Sequence, residues 1–420
     1  MRLENLSFKN LRLFGNDEQQ FVFCSDKDIC ILLGNNGAGK TSLLHGISVL
    51  VSSFFDVFPD IPVKLFRDTD VRIESNQRRA DYLKIAADIS TRNAHIHCER
   101  FRQGNTPAPP SNIAQIKEYA NYIKHCIDDN LPIELPILAY YGTERGQITA
   151  PERRRDFNTV FPRWDAYRDA LEPATNFKRF FTWYERNEDV ERRQKEKQRD
   201  FDYSLPVLNA VRRALSQLED NLVNPRVETS PLRFVMDDIS DPDAPKEVRI
   251  EMMSDGYRIM IAMVADIAAR MAEANPDEQS SGVADPLLTS GIVLIDEIDL
   301  HLHPKWQRKV LHQLHRIFPN IQFLVTTHSP NVVIGALDIA QVVKIENGIV
   351  DADIDVSQYG NYDISLLLLS YLFDLDNVRT DQFKILDNEL QQLLNNPKPS
   401  AEDVQRIHEL MYLLKEYHSI

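Results

Sequence analysis

A glycine-rich segment that ends in a lysine and a threonine is the first feature of this sequence that could do chemistry. Residues 34–41 follow the pattern G-x-x-x-x-G-K-[ST]. Glycines let the backbone curl so that successive N–H groups point at phosphate oxygens, while the lysine adds positive charge and the threonine hydroxyl can ligate Mg²⁺. We therefore predict a phosphate-binding loop whose contacts come from Asn35, Asn36, Gly37, Ala38, Gly39, Lys40, Thr41 and Ser42.

The flanking residues predict the strand and the helix that such a loop requires. Residues 29–33, ICILL, are typical of a buried strand, and residues 41–50 are typical of a helix. The start of a helix favours a bound anion, because its backbone N–H groups and its dipole are directed toward the ligand. This order of elements makes a chance glycine-rich turn the weaker interpretation.

A second apolar run ends in two adjacent carboxylates. Residues 292–295 are typical of a central strand, and Asp296 and Glu297 follow it directly. The first carboxylate could hold Mg²⁺, and the second could polarise an attacking water. The alternative, an acidic strand end that faces solvent, fits poorly after four apolar residues. We predict Asp296 as a metal-binding residue and Glu297 as a catalytic residue.

Two further stretches carry polar groups that could contact phosphate. Residues 323–330, FLVTTHSP, predict a strand followed by His328, which could hydrogen-bond a γ-phosphate or the attacking water. The segment KWQRKVLHQLHRIF before this strand predicts one helix. Ser254, Asp255 and Gly256 open another predicted helix, which is amphipathic. Serine favours the N-cap position, and glycine would let a phosphate approach the backbone.

In chain order, these stretches resemble the ATP-binding-cassette ATPases, with Ser254 to Gly256 in the position of the signature motif. Asp255 departs from the glycine that transporters usually have there. The resemblance covers roughly residues 1–50 and 248–350, and it implies an α/β P-loop ATPase head with two lobes that uses ATP and Mg²⁺. It also implies a homodimer or higher homo-oligomer, because the signature helix of one subunit would complete the nucleotide site of another.

Other segments indicate which branch of these ATPases the chain resembles. The opening segment LENLSFKNLRLF resembles the first strand of the SMC and RecF branch, which implies that Arg12 reaches the nucleotide. The phrases ILAYYGTER, SDGYR and VLIDEIDLHLHPKWQR are similar to the PtuA-type ATPases of the Septu antiphage defence systems, which implies a partner nuclease of HNH type. From the cassette family, Asp299 would belong to the D-loop, and Gln147 is a weak candidate for the Q-loop glutamine near the metal.

The composition is that of a globular protein without a membrane segment. Of 420 residues, 43% are hydrophobic, and no apolar run approaches the roughly 18 residues of a membrane span. The N-terminus lacks the pattern of a signal peptide, so we expect a cytoplasmic protein. The net charge of −15 argues against a broadly basic surface that binds nucleic acid, but it is compatible with a local DNA contact.

We divide the chain into four parts. The N-terminal ATPase lobe (1–150) carries the phosphate loop, and a charged helical insertion (151–225) follows it. The C-terminal ATPase lobe (226–350) carries the other motifs, and the tail (351–420) is predicted to be helical. Residues 185–200 hold six acidic and six basic side chains, which favours a solvated helix with i,i+4 ion pairs.

The expected function is ATP hydrolysis coupled to dimer closure, in a defence ATPase that regulates a partner nuclease. Two alternatives stay open, namely a RecF- or SMC-like repair ATPase that clamps DNA and a regulatory scaffold with slow hydrolysis. The acidic segment 351–355 resembles the acidic pair of a Toprim nuclease, but too few residues follow it for that fold. We therefore expect no nuclease activity from the chain alone.

Overall fold

The computed structural model describes residues 1–75, 77–146, 162–173, 178–229, 232–375, 381–396, 400, 403 and 405–411. The chain forms two compact units, Met1–Asn361 and Tyr362–Ile420. Within the first unit, a six-stranded sheet carries both the phosphate loop and the carboxylates.

The secondary structure confirms the strand and the helix expected around the phosphate loop, as β3 and α1. The strands are β1 (Arg2–Lys9), β2 (Gln19–Val22), β3 (Ile29–Leu33), β4 (Tyr82–Ser90), β5 (His95–Gln103), β6 (Ile137–Tyr141), β7 (Leu222–Thr229), β8 (Leu232–Asp238), β9 (Lys246–Arg249), β10 (Gly291–Ile295), β11 (Ile321–Thr326), β12 (Ala340–Glu346) and β13 (Ile349–Asp351). The α-helices are α1 (Lys40–Val51), α2 (Ala114–Asp128), α3 (Lys178–Gln198), α4 (Pro206–Leu218), α5 (Asp255–Ala274), α6 (Glu278–Ser281), α7 (Pro304–Gln307), α8 (Val310–Ile317), α9 (Pro330–Ile334), α10 (Ile364–Leu369) and α11 (Asp381–Leu394).

The six-stranded sheet has the order β13-β12-β3-β11-β10-β6, and its neighbouring strands are parallel except for the antiparallel pair β12 and β13. Every residue of β3, β6, β10 and β11 is buried. Parallel strands are covered on both faces, which is why they occur in the sequence as unbroken apolar runs. Their carboxyl ends lie at one edge of the sheet, where ligands bind in open α/β folds.

A second sheet, β2-β1-β4-β5, is antiparallel, and α1 connects it to the six-stranded sheet. The helix contacts β4 and β5 of one sheet and β11 of the other. A buried amide also joins the sheets directly, because Gln322 on β11 accepts the Leu3 N–H at 2.7 Å and donates to the Leu3 carbonyl at 3.0 Å. These contacts fix the start of α1 relative to the ends of β10 and β11.

Helix α5 is buried along most of its length and contacts α3, α4 and β6. Its Asp266 and Arg270 form a buried ion pair of 2.8 Å, and Asp266 also accepts a hydrogen bond from the Tyr141 hydroxyl at 2.7 Å. Buried charges are tolerated when they are paired and hydrogen-bonded. This network fixes α5 to β6, which is the neighbour of β10.

The structure differs from the sequence-based expectation in three elements. The helix expected between β10 and β11 is divided into α7 and α8, with Arg308 and Lys309 between them. Helix α3 has the expected i,i+4 ion pairs, but it is not simply solvated, since Glu188 and Glu191 are buried and Glu191 pairs with Arg212 at 2.9 Å. Strands β7, β8 and β9 form an antiparallel sheet that the sequence did not predict.

The second unit has an apolar cluster of its own, in line with the helices expected in the tail. Helix α11 contributes to this cluster, which comprises Leu386, Leu390, Leu393, Ile407 and Leu410. An ion pair of 2.7 Å between Arg406 and Glu389 accompanies it. Among the residues that the structure describes, the helices are too short or too polar to cross a membrane.

Candidate active site

The phosphate loop connects β3 to α1 through backbone conformations that glycine supplies. Gly37 and Gly39 have φ angles of +81° and +110°, which strain residues that carry a side chain. At Gly39, a Cβ atom would also lie 2.8 Å from the ring of Phe14. The curled loop therefore depends on glycine at these positions.

The Lys40 ammonium lies over this loop. It donates hydrogen bonds to the carbonyl oxygens of Gly34 at 2.7 Å and Asn35 at 3.1 Å. Burial lowers the pKa of Lys40, and the charges of Asp296 and Glu297 oppose that shift. A partly desolvated ammonium is a strong partner for phosphate, because charge-assisted hydrogen bonds gain strength where water is excluded.

The Asp296 carboxylate extends from the end of β10 to the first turn of α1. One of its oxygens accepts the Thr41 hydroxyl at 2.8 Å, and the other accepts the Thr326 hydroxyl at 2.6 Å. Mg²⁺ takes oxygen ligands at about 2.1 Å in an octahedron, so adjacent ligands lie about 3 Å apart. The oxygens of Thr41 and Asp296 fit such a pair of ligands in both chemistry and spacing.

Glu297 has a left-handed backbone conformation, with a φ angle of +48°. Its N–H donates to the Thr326 hydroxyl at 2.7 Å, and its carbonyl accepts a hydrogen bond from Arg145 at 2.7 Å. A non-glycine residue in this conformation costs on the order of 1 kcal/mol and persists when its surroundings fix it. Contacts on both sides of Glu297 therefore set the direction of its carboxylate.

The predicted residues from three distant segments meet in one pocket of about 160 Å³. His328, just after β11, joins the carboxylates there. Burial lowers the pKa of His328, as does the charge on Lys40, so the imidazole is mostly neutral at pH 7. The pocket is lined by Leu13, Asn36, Gly37, Gly39, Lys40, Thr41, Ser42, Asp296, Glu297 and His328. Asn35 and Ala38 line an adjoining pocket of about 390 Å³.

Arg12 is not among the residues that line the pocket. Its Nε and Nη2 atoms lie 3.0 and 2.7 Å from one carboxylate oxygen of Asp70. Burial would raise the pKa of Asp70, but hydrogen bonds from His45, the Arg67 N–H and Arg12 hold that pKa below its usual range. A nucleotide contact by Arg12 stays a prediction, and Asp70 is a partner that the sequence did not reveal.

Of the signature residues, Ser254 and Gly256 line a different cleft, about 960 Å³ in volume. Ser254 occupies the N-cap position of α5, but its side chain makes no capping hydrogen bond. Asp255 pairs with Arg258 at 2.7 Å. A Cβ atom on Gly256 would lie 2.3 Å from the His301 carbonyl oxygen, so close packing inside the chain already requires glycine there. A role for Gly256 in phosphate approach stays a prediction.

Two residues that the sequence did not single out hold the ends of the strands together. Thr326 bridges Asp296 and the Glu297 N–H through one hydroxyl, and it lies within the segment FLVTTHSP. Arg145 follows β6 and ends the segment ILAYYGTER, whose similarity to the PtuA-type ATPases assigned it no role. Gln147, the candidate for the Q-loop, lies outside the described residues.

Sequence comparison places these residues in a known family. The family described as "AAA domain, putative AbiEii toxin, Type IV TA system" matches residues 29–334, which run from β3 to α9. The "Retron Vc95 probable ATPase" of Vibrio cholerae serotype O1 biovar El Tor is 29% identical over 382 residues, covering 79% of this chain and 71% of that protein. The "Septu protein PtuA" of Bacillus mycoides (strain KBAB4) is 35% identical over 177 residues, covering 41% of this chain and 23% of that protein.

Among solved structures, the SMC head domain from Thermotoga maritima is similar to this chain, with a TM-score of 0.47 and 16% identity over 83% of this chain and 97% of that one. The predicted similarity to Septu PtuA is confirmed by the sequence comparison. The phosphate loop, both carboxylates and His328 lie inside the region that the family model matches. The chain belongs to this AAA domain family.

Proposed function

We propose that this chain binds ATP with Mg²⁺ in the pocket at the start of α1 and hydrolyses the γ-phosphate. The observation that carries the proposal is the meeting of Thr41, Asp296 and Glu297 in one pocket, with Thr41 and Asp296 oxygens 2.8 Å apart. The family match and a relative named as a probable ATPase support the same class of activity.

In the proposed mechanism, the loop N–H groups and Lys40 bind the phosphates, while Thr41 and Asp296 hold the metal. When bound, Mg²⁺ neutralises charge on the β- and γ-phosphate oxygens. Glu297 accepts a proton from the attacking water as the water oxygen bonds to the γ-phosphorus. The bond between that phosphorus and the oxygen that bridges it to the β-phosphate breaks, and ADP leaves. The neutral imidazole of His328 donates its N–H to a γ-phosphate oxygen, which orients that group for attack.

We infer that hydrolysis also needs a second copy of the chain. Ser254 lines a cleft other than the one that holds the phosphate loop, so α5 does not contact the phosphates of its own chain. The start of a helix suits a phosphate, and the Ser254 hydroxyl makes no capping bond that would have to break. In a two-fold dimer, each α5 could cap the nucleotide of the other copy, with two ATP molecules at the interface.

We also propose that dimer closure controls a partner nuclease of HNH type in antiphage defence, in the cytoplasm. Similarity to a Septu protein and to a retron ATPase supports this proposal. The chain spans only 23% of that Septu protein, so the support comes from the shared ATPase part. A contact of the closed dimer with DNA is compatible with the same arrangement.

Replacement of Glu297 by glutamine tests the proposed chemistry. The amide cannot accept the proton of water, so we expect turnover to fall about 10²–10⁴-fold. Nucleotide affinity should stay near the wild-type value, because Lys40, Thr41 and Asp296 are unchanged. Steady-state phosphate release and equilibrium binding of ATP with Mg²⁺ measure the two quantities.

Glu134→Gln is the matched control for this test. Glu134 is a buried carboxylate that accepts the Ser290 N–H at 2.6 Å, just before β10, whereas Glu297 follows the same strand. The control variant should hydrolyse ATP at nearly the wild-type rate. Wild-type turnover in Glu297→Gln would show that Glu297 is not the catalytic base. If the unmodified chain itself releases no phosphate from ATP, the proposed function is contradicted.

A further inference from the structure

We propose that Arg145 is a positioning residue for ATP hydrolysis, which fixes the backbone of Asp296 and Glu297 and so directs the Glu297 carboxylate at the attacking water. The inference rests on the proposed ATPase function. Arg145 is not among the residues that line the pocket. It therefore acts through the two carboxylate residues and not through contact with the nucleotide.

The guanidinium of Arg145 joins the ends of two adjacent strands. Its Nη1 donates to the carbonyls of Gly142 at 2.9 Å and Asp296 at 2.5 Å, and its Nη2 donates to the Glu297 carbonyl at 2.7 Å. Gly142 follows β6, whereas Asp296 and Glu297 follow β10. The rigid, planar fork of arginine can serve all three carbonyls at once, which the single ammonium of a lysine cannot reproduce.

The backbone that Arg145 holds is the strained part of the site. Glu297 has a φ angle of +48°, and a non-glycine residue keeps such a conformation when its surroundings fix both of its peptide groups. The Thr326 hydroxyl accepts the N–H of Glu297, and Arg145 binds its carbonyl. Without the guanidinium, the Glu297 carbonyl would keep, among the described residues, only the hydrogen bond from the Leu300 N–H, at 2.9 Å within the same loop, and the link from this loop to the end of β6 would be lost. Glu297 could then relax toward a right-handed conformation, and its carboxylate would move.

The burial of Arg145 is difficult to explain by stability alone. Its side chain is 1% exposed, and the three hydrogen bonds described above go to carbonyl oxygens. In the described part of the chain it forms no ion pair, and its Nε has no hydrogen-bond partner. The charges of Asp296, Glu297 and Asp299 offset part of the cost of burying this arginine, but no carboxylate of the described residues contacts it directly. A buried polar group without a partner calls for an explanation, and a role in function is one.

The charge on Arg145 persists at neutral pH. Burial lowers the pKa of Arg145 to about 10, against the opposing influence of Asp296, Glu297 and Asp299. The guanidinium is therefore protonated at pH 7 and keeps all its donors.

Arg145→Lys, with Arg163→Lys as its matched control, tests the proposal. Arg163 also binds backbone carbonyls, those of Ala274 at 2.6 Å, Ser280 at 2.8 Å and Ile133 at 2.6 Å, and burial lowers its pKa as well. Arg163 does not line the pocket. Each variant thus loses arginine hydrogen bonds to three backbone carbonyls. Only Arg145→Lys loses the bonds to the carbonyls of Asp296 and Glu297.

We expect Arg145→Lys to lower kcat about 10-fold or more while the KM for ATP and the affinity for ATP with Mg²⁺ change less than about 3-fold. Arg163→Lys should keep the wild-type kcat. Hydrogen exchange should rise in peptides that contain residues 296–300 of Arg145→Lys and stay unchanged there in Arg163→Lys. Arg145→Gln, which keeps one amide donor, should behave like Arg145→Lys.

Each contrary result has a distinct meaning. If Arg145→Lys and Arg163→Lys have equal kcat, or if Arg145→Lys changes only the KM, the positioning role is overturned although the ATPase proposal survives. If both Arg145 variants unfold while Arg163→Lys folds, Arg145 is a structural residue and the proposal is overturned. If the unmodified chain binds ATP but releases no phosphate, the proposed function and this inference both fall.

Discussion

The two proposed anion sites of this chain differ in how complete they are within one copy. At the phosphate loop, Lys40, Thr41 and Asp296 are already held by hydrogen bonds of 2.6–3.1 Å. At the start of α5, the Ser254 hydroxyl makes no capping hydrogen bond, and it lines a separate cleft. The fold alone holds the first site in place, and we call Lys40, Thr41 and Asp296 the prepared site. Under the proposed function, the start of α5 would instead meet a nucleotide that another copy brings.

Lys40→Ala should have the largest effect, because it removes the ammonium from the prepared site. Charge-assisted hydrogen bonds are worth about 1.5–3 kcal/mol, so we expect ATP affinity to fall roughly 10- to 150-fold. Calorimetric titration of ATP with Mg²⁺ measures the loss.

Lys64→Ala is the control for that loss. Lys64 is also partly buried and donates to a backbone carbonyl, that of Leu171, but it does not line the pocket. It should bind ATP like the unmodified chain. Unchanged affinity in Lys40→Ala, or an equal loss in Lys64→Ala, would contradict the assignment of the prepared site.

Ser254→Arg should leave the prepared site intact and disable the proposed anion site at the start of α5. We expect ATP affinity within about 3-fold of wild type and turnover reduced about 10-fold or more, because the long cation obstructs the helix start that would meet a second nucleotide. Binding and phosphate release measure the two effects. Ser240→Arg, on an exposed serine between β8 and β9, controls for the added charge and should keep turnover. Full turnover in Ser254→Arg would show that α5 takes no part in hydrolysis.

The smallest expected effect is on the pKa of His328, which reports how far the prepared site is shielded from water. Its pKa should lie below the ordinary 6.5, because burial and the charge on Lys40 both disfavour the imidazolium. Lys40→Ala removes one of these causes, so the pKa should rise in that variant but not in Lys64→Ala. NMR titration of the imidazole in the nucleotide-free protein measures the shift. A wild-type pKa above 6.5 would show that the pocket is open to water.

The parts of the site that the sequence predicted are those encoded by consecutive residues. The strands β3 and β10 are buried on both faces, so each occurs as an apolar run with its candidate site residues directly after it. Glycines with positive φ make the phosphate loop recognisable for the same local reason.

The parts that the sequence did not predict depend on contacts between distant segments. Arg145 binds the carbonyl of Asp296, and Arg12 binds Asp70, and neither pairing leaves a periodic pattern in the chain. The β7–β9 sheet was missed because its strands are not uniformly apolar; in β9, three of four residues are exposed. The break between α7 and α8 was missed because the apolar period continues across it.

One mixing experiment tests most directly whether the incomplete site is completed by a second copy. Lys40→Ala and Ser254→Arg should each have strongly reduced turnover alone. In a heterodimer of the two, one interface site carries both lesions and the other carries neither. An equimolar mixture should therefore recover up to about a quarter of wild-type turnover, since about half of the dimers are mixed and each has one intact site. If heterodimers form but no turnover returns, the completion of each site by the partner's α5 is contradicted.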